Sequence, residues 1–482
     1  MLSDIGLIGL AVMGENLVLN IENKGFSASV YNRSIKKVDD FIQGRGLNKR
    51  FYGAHDINDF CKSLSSPRKI IIMVKSGNPV DLVIEQLLPN LEKGDIVIDG
   101  GNSYYKDSSR RYEYLKSKGI NFIGAGISGG EEGALNGPSI MPGGSIEAWP
   151  QIKPIFDKIA AKTSVGETCC NWVGPSGSGH FVKMVHNGIE YGDMQMICEA
   201  YHIMKSALKL SNDEIAEVFD EWNKSELNSY LIEITKEILR YENEDKERVV
   251  DLILDTSGQK GTGKWTAGAA LDYGQPLSLI AEAVFARCLS SLKEERVKAS
   301  NCFDHSTYSF TGDKQLFLDN LKHALYASKI ISYTQGFQLL KAASNEYKWN
   351  LNFGDIALLW RGGCIIRSVF LEQIKDAYNK DKNLSNLLMD PFFNEIINKS
   401  QKGWRFIIKE AVSYGIPTPA MSSALAYFDG YKSERLPSNL LQAQRDYFGA
   451  HTYERIDKER GVFFHTNWTG KGGQTSSSSY EV

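Results

Sequence analysis

Short apolar runs punctuate the first 175 residues: IGLIG (5–9), SASVYN (27–32), KIIIMV (69–74), DIVIDGG (95–101) and INFIGAG (120–126). They are rich in isoleucine and valine, bounded by glycine or asparagine, and separated by helical patterns. Near-continuous apolar strands alternating with helices predict a doubly wound, mostly parallel sheet covered on both faces. Beyond about residue 178 the strand pattern gives way to a 3.6-residue period, clearest in 181–210 and 322–347. The predicted class is therefore α/β plus all-α. The expected division is a sheet-bearing domain over 1–178, a large all-helical domain over 179–435 and a short tail over 436–482.

The helical part reads as an internal duplication. LSNDEIAEVF (210–219) matches LNFGDIALLW (351–360), Tyr273-Gly274-Gln275-Pro276 matches Tyr414-Gly415-Ile416-Pro417, and Tyr191 matches Tyr333, with offsets near 141. That period is too long for a solenoid repeat. Arg287 falls opposite Phe428, so the first copy is the one equipped for chemistry.

Composition narrows the class further. Hydrophobic content of 42% and charged content of 23% are those of a globular protein, and a net charge of −3 gives no nucleic-acid or membrane-seeking surface. Seven scattered cysteines without CxxC or ligand spacing suit a reducing compartment, and no carboxylate or histidine cluster has metal-ligand spacing. A strand starting almost at the first residue leaves no room for a leader, and no apolar run approaches the roughly 18 residues of a membrane span, so a cytoplasmic location is expected. The Gly/Ser-rich end TGKGGQTSSSSYEV is expected to be disordered by itself.

Gly9-Leu10-Ala11-Val12-Met13-Gly14 follows the first strand and opens the first helix. It is the GxGxxG dinucleotide pattern with Ala11 at the middle glycine, and it offers a tight turn and a helix N-terminus to a pyrophosphate. The second strand ends in Asn32-Arg33-Ser34, where NAD sites place a carboxylate. An arginine with small polar neighbours suits a 2′-phosphate instead, so NADP is the expected cofactor. Val74-Lys75 and Asn102 close two further strands beside the same crevice, and Asn102 is placed to meet cofactor and substrate together. Ser128-Gly129-Gly130, in a glycine-dense block, lets a substrate approach the backbone.

KMVHNGIEYGD (183–193) puts Lys183 and Glu190 two turns apart on one face of an apolar helix, about 10.5 Å along its axis. His186 and Asn187 lie between them, with His186 the weaker candidate for a substrate contact. Further on, Lys260-Gly261-Thr262 forms a glycine-flanked cationic loop that is not a Walker A motif, and Arg287 offers bidentate geometry.

GLAVMG, YNRS, DGGNS, ISGGEEGA, KMVHNGIEYGDMQ, QKGTGKWT and AQRDYFGAHTYER occur in this order, at familiar spacing, over essentially the whole chain. In this the sequence resembles the decarboxylating 6-phosphogluconate dehydrogenases. The resemblance implies a Rossmann-like first domain, a homodimer with exchanged tails, and NADP-dependent oxidative decarboxylation of 6-phosphogluconate to ribulose 5-phosphate in the pentose phosphate pathway; with no ligand cluster in the sequence, an ammonium is expected to stabilise the oxyanion in place of a metal. The resemblance implies Lys183 as general base and then polariser of the keto group, with Glu190 as general acid. Lys183 must be neutral to act, so burial and nearby cations are expected to depress its pKa. The resemblance also places Tyr191, Lys260, Thr262 and Arg287 around the phosphate, with Arg445 and His451 supplied by the partner subunit. Glu15, where the family commonly has glutamine, is a departure close to the pyrophosphate. The alternatives are a shorter β-hydroxyacid dehydrogenase of the 3-hydroxyisobutyrate type and a non-catalytic NADP-binding regulator.

Overall fold

The computed structural model describes residues 2–304, 310–472 and 477. Most of the Gly/Ser-rich end, 473–476 and 478–482, lies outside the described residues, and so does the expectation of disorder there. Internal contacts divide the chain into two compact units, Met1–Ala424 and Leu425–Val482.

The first unit opens on an eight-stranded sheet. Its strands are β1 (Ile5–Ile8), β2 (Ala28–Tyr31), β3 (Phe51–Gly53), β4 (Lys69–Ile72), β5 (Ile96–Asp99), β6 (Asn121–Ser128), β7 (Ser139–Gly144) and β8 (Gly174–Pro175). The order is β3-β2-β1-β4-β5-β6-β7-β8, and only the β6–β7 pair is antiparallel. Alternate residues of one strand serve opposite cores. Ile71, Ile96 and Ile98 join the cluster that includes Leu17 and Phe156, while Ile70, Ile72 and Val97 join that of Phe60 and Leu115. A sheet buried on both faces needs apolar residues in both registers, which is why the strands read as unbroken runs.

The five predicted strands are present, and three more join them. β3 is three residues long and only partly buried, too short to show periodicity, so the predicted third and fourth strands are β4 and β5. The glycine-dense block contains β7 as well as the helix Gly130–Asn136. The order reverses between β2 and β4, on either side of β1, and the crevice beyond the carboxyl ends of those strands is where such sheets bind ligands.

The Ser178–Ser206 helix follows, buried on nearly every side. It lies against β6 and β7 and against the helices Thr262–Asp272, Ser278–Ser290 and Lys314–Tyr347. Over residues 178–193 only Glu190 is even partly exposed, whereas Met194, Cys198 and His202 give the second half a solvent face; the charged groups of the enclosed first half therefore need another explanation. The helical series then repeats. Asn212–Asn223 is capped by Ser211 and Phe353–Leu359 by Asn352; Thr262–Asp272 answers Pro391–Ser413, and Ser278–Ser290 answers Pro419–Tyr431. The paired ends at 272 and 413, and starts at 278 and 419, are both 141 apart, the period of the sequence matches.

The second unit contains the Ser438–Gly449 helix and a small hairpin pairing Tyr453–Glu454 with Phe463–Phe464. Buried Asp446 organises it, accepting hydrogen bonds from the Thr466 amide at 2.9 Å and Trp468 Nε1 at 2.8 Å, with His465 Nδ1 at 2.9 Å.

Candidate active site

The loop after β1 shows why glycine recurs there. Gly9 has φ +109, and a Cβ on it would stand 2.4 Å from the Met73 carbonyl oxygen; a Cβ on Gly14 would stand 2.0 Å from the Gly9 oxygen. Ala11 needs no such licence, because its φ is −115 at the N-cap of Val12–Asn23. The loop is fixed from the second strand by Asn32, whose Oδ1 accepts from the Leu10 amide at 3.1 Å. Val12 is 56% exposed at the head of this twelve-residue helix, leaving free N–H groups and an apolar contact for a pyrophosphate and its ribose. Val74 packs on Gly9, with Cγ1 3.3 Å from the Cβ position.

Arg33, Ser34 and Lys75 are at the surface or nearly so. Among the described residues the Arg33 side chain has neither an ion pair nor a hydrogen bond, so its five donors are unspent. These features fit NADP. Arg33→Ala is expected to weaken NADP⁺ binding by about tenfold or more, the loss of a charge-assisted contact, and to leave NAD⁺ binding unchanged in fluorescence titration; equal NADP⁺ affinity would remove Arg33 from the site. Glu15 is less anomalous than its position suggests, since Arg45 Nη1 lies 3.2 Å from its carboxylate and offsets the charge.

Below this loop opens a cleft of about 600 Å³. Met13 lines it from the glycine loop, Asn102 from the end of β5, and Ser128, Gly129 and Gly130 from the end of β6. Lys183, Asn187, Glu190 and Tyr191 line it from the buried helix, while Lys260, Thr262 and Arg287 close the far end. The helix comes this close to β6 because Gly126 has no side chain: a Cβ there would stand 2.3 Å from that of Lys183. Only glycine lets the lysine emerge beside Ser128.

Lys183 is 6% exposed, and burial lowers its pKa, while the charges of Glu190 and the Cys364 thiol pull the other way. The expected contribution from nearby cations is not found: desolvation does the lowering, and the charged neighbours oppose it. Burial raises Glu190, again against its neighbours Lys183 and Arg287, with Asp193 adding to the rise. The lysine and the carboxylate are thus moved toward each other from opposite ends of the scale, the arrangement required of a base and an acid working at one pH.

His186 is fully buried and stands directly behind the residues that line the cleft. Its Nδ1 lies 3.2 Å from Lys183 Nζ and 3.1 Å from Asn187 Oδ1, and its Nε2 3.4 Å from Ser128 Oγ. Burial and the neighbouring lysine hold its pKa well below the usual histidine range. The ring is therefore neutral, and its 3.8 Å approach to Glu190 is not an ion pair. It braces three cleft residues from behind.

At the far end, Gly261 caps Thr262–Asp272 with φ +93. Lys260 and Thr262 consequently flank the N-terminus of an eleven-residue helix, whose dipole favours an anion. The Arg287 guanidinium lies 3.5 Å over the Tyr191 ring, and its Nη1 donates to the Gly258 carbonyl at 3.3 Å, so two contacts hold it at this end of the cleft. Met194, Gln259, Gly258, Ile127 and Ile365 complete the lining. Met194 was legible in principle, standing four residues after Glu190 on the same face; Ile365 comes from the second helical copy and carries no local signal. Arg445 and His451 belong to the second unit, where Gln442 joins them: Arg445 Nη1 donates to Gln442 Oε1 at 3.1 Å, and Gln442 Nε2 donates to the His451 carbonyl at 2.8 Å.

Among the described residues no group of three or more His, Cys, Asp or Glu side chains is arranged to hold a metal ion, and no helix is long and apolar enough to cross a membrane.

Comparison with known proteins agrees with this geometry. Residues 4–174 match the model of the NAD binding domain of 6-phosphogluconate dehydrogenase, and residues 179–468 that of the 6-phosphogluconate dehydrogenase C-terminal domain. The decarboxylating 6-phosphogluconate dehydrogenase of Caenorhabditis elegans is 58% identical, covering 100% of this chain and 99% of its own. The human enzyme is 57% identical with the same coverage. The Plasmodium falciparum 6-phosphogluconate dehydrogenase, solved in its apo form and with NADP⁺ or 6-phosphogluconate, superposes with a TM-score of 0.93 at 48% identity, covering 96% of this chain and 100% of that one. With both halves matched and more than half of its residues identical to such relatives, the chain belongs to the 6-phosphogluconate dehydrogenase family.

Proposed function

We propose that this protein oxidises and decarboxylates 6-phospho-D-gluconate to D-ribulose 5-phosphate and CO₂ with reduction of NADP⁺. The observation that carries the reading is that one cleft holds Lys183 and Glu190 in its middle, Met13 of the glycine loop at one wall, and Lys260, Thr262 and Arg287 at its far end.

Bound NADP⁺ supplies the hydride acceptor at C3 of the sugar acid. Lys183, whose pKa burial lowers, takes in its neutral form the proton of the 3-hydroxyl as C3 is oxidised. The resulting ammonium then stands beside the new C3 keto oxygen and stabilises the negative charge that develops there as the C1 carboxylate leaves. Glu190, whose pKa burial raises, delivers in its protonated form a proton to the former C2, which becomes C1 of the ketopentose. Asn102, Ser128, Gly129, Gly130 and Asn187 orient the carboxylate end, with His186 fixing Ser128, Asn187 and Lys183 in register. Tyr191, Lys260, Thr262 and Arg287 bind the phosphate. A 3-hydroxyisobutyrate-type reading has no use for that cationic end. Incubation with 6-phosphogluconate and NADP⁺ tests the proposal: a ketopentose phosphate and NADPH support it, whereas preferential oxidation of unphosphorylated 3-hydroxyisobutyrate contradicts it.

The proposed working division is a cofactor domain over 1–178, a helical domain over 179–435 and a tail over 436–482, in a cytoplasmic homodimer that takes part in the pentose phosphate pathway. Arg445 and His451 are assigned to the partner's substrate site. The second unit supports this with Tyr447, Phe448 and Ile456, which are 61%, 73% and 90% exposed; apolar groups so bare mark a contact surface. Truncation before Leu436 is expected to abolish turnover, as read in steady-state assays with light scattering for mass. A fully active monomer would end the exchange model.

A further inference from the structure

Among the described residues two buried cations, Arg111 and Lys329, lie outside the cleft, and the first reaches toward it. Arg111, on the Tyr105–Ser117 helix, has no exposed surface, and its guanidinium serves two strand-end loops at once. Nη2 donates to the Gly77 carbonyl at 2.9 Å, in the loop that follows β4. Nε and Nη2 grip Asp81 at 2.8 and 3.1 Å, in the first turn of the helix that this loop opens. Nη1 donates to Asp99 Oδ2 at 3.2 Å, at the last residue of β5.

Asp99 is itself wholly buried, and its other oxygen, Oδ1, accepts from the Gly101 amide at 3.1 Å. That bond shapes the turn that delivers Asn102 to the cleft. A continuous chain thus runs from Arg111 through Asp99 and Gly101 to Asn102. A second side chain steadies the same region: His180, one turn before Lys183, holds Ser108 of the Arg111 helix, with its Nδ1 2.6 Å from Ser108 Oγ.

A buried ion pair is a poor device for stability, because desolvation consumes most of the attraction and an apolar pair of equal volume serves as well. What it provides is fixed geometry, and here the geometry ends on a cleft residue. We propose that Arg111, acting through Asp99, is a positioning residue for Asn102. The guanidinium fork sets the height of the Gly100–Gly101 turn so that the Asn102 amide meets cofactor and substrate together. A lysine in its place has the charge but can satisfy fewer of the three acceptors in these directions.

This inference rests on the proposed role of Asn102 as a ligand contact, and a double-mutant cycle separates the two. Wild type, Arg111→Lys, Asn102→Ala and the double variant are compared by kcat/KM for 6-phosphogluconate, with near-UV circular dichroism as the check on folding. Arg111→Lys is expected to lower kcat/KM by about tenfold, the cost of a small misplacement of a contact group. In the Asn102→Ala background the same substitution should change it less than about twofold, because the group being positioned is gone. A full-sized effect in both backgrounds would overturn the proposal, since a general loosening of the fold does not need Asn102. If Asn102→Ala itself left kcat/KM unchanged, the role of Asn102 would fail first, and the inference with it. Should Arg111→Lys not fold, Asp99→Asn enters the same cycle; it keeps an acceptor for Gly101 and discards the charge. Failure of both to fold would assign the pair to stability and overturn positioning.

Discussion

Lys183→Met is expected to lower kcat by about 10⁴-fold while NADP⁺ affinity stays within about twofold, because the base and the oxyanion stabiliser are removed and the cofactor loop is untouched. Methionine matches the length of the lysine stem, so the narrow space against Gly126 stays filled. The same change makes a stability prediction of unusual sign. Burial lowers the pKa of Lys183 in the folded protein, so between the folded and unfolded pKa values the unfolded chain binds more protons. The penalty on the fold is therefore full below the folded value. It fades as pH rises toward the unfolded value, roughly 10.4. Lys183→Met removes the penalty, and thermal melts at neutral pH should show a Tm at or above that of the wild type. A variant that is both active and less stable would contradict the assignment on two counts.

Glu190→Gln is the second large effect, and its signature is the shape of a pH profile. The active form holds one proton between the two groups, on Glu190 and off Lys183, so wild-type kcat follows a bell. The two limbs belong to the coupled pair, not to either residue. Glutamine carries no proton to lose, which leaves Lys183 as the remaining titrating group. The profile is then expected to rise with pH and stay level, without the alkaline fall. Its plateau should lie about 10²- to 10³-fold below the wild-type maximum, the usual worth of a general acid. An unaltered bell would mean that a different group supplies the C1 proton.

The parts of this molecule that could be read from its sequence are those whose cause is local. A fully buried parallel strand must be apolar on both faces, so β1, β2, β4, β5 and β6 stood out, while β3, with three half-exposed residues, did not. The glycine loop was readable because Gly9 and Gly14 are enforced by close backbone contacts in and around the turn. Lys183 and Glu190 were readable as cleft neighbours because a spacing of seven residues, two helical turns, puts them on one face of the helix. The rest depends on distant packing. The burial of His186 behind the cleft is set by Trp360, whose ring meets it edge-on at 5.7 Å, and Ile365 reaches the cleft from the second copy of the duplicated helices. Of the two expected causes of the lowered Lys183 pKa, burial is present and nearby cations are not. Which charges surround a side chain is a tertiary fact, and those around this one oppose the shift.

Release of carbon dioxide tests the central claim most directly. With 6-phosphogluconate labelled at the carboxyl carbon, NADP⁺ in excess and the wild-type protein, labelled CO₂ and NADPH should appear in equal amounts, with both lost together in Lys183→Met. NADPH formed without release of the label would show an oxidation that ends at the keto acid, and would contradict the roles assigned to Lys183 and Glu190.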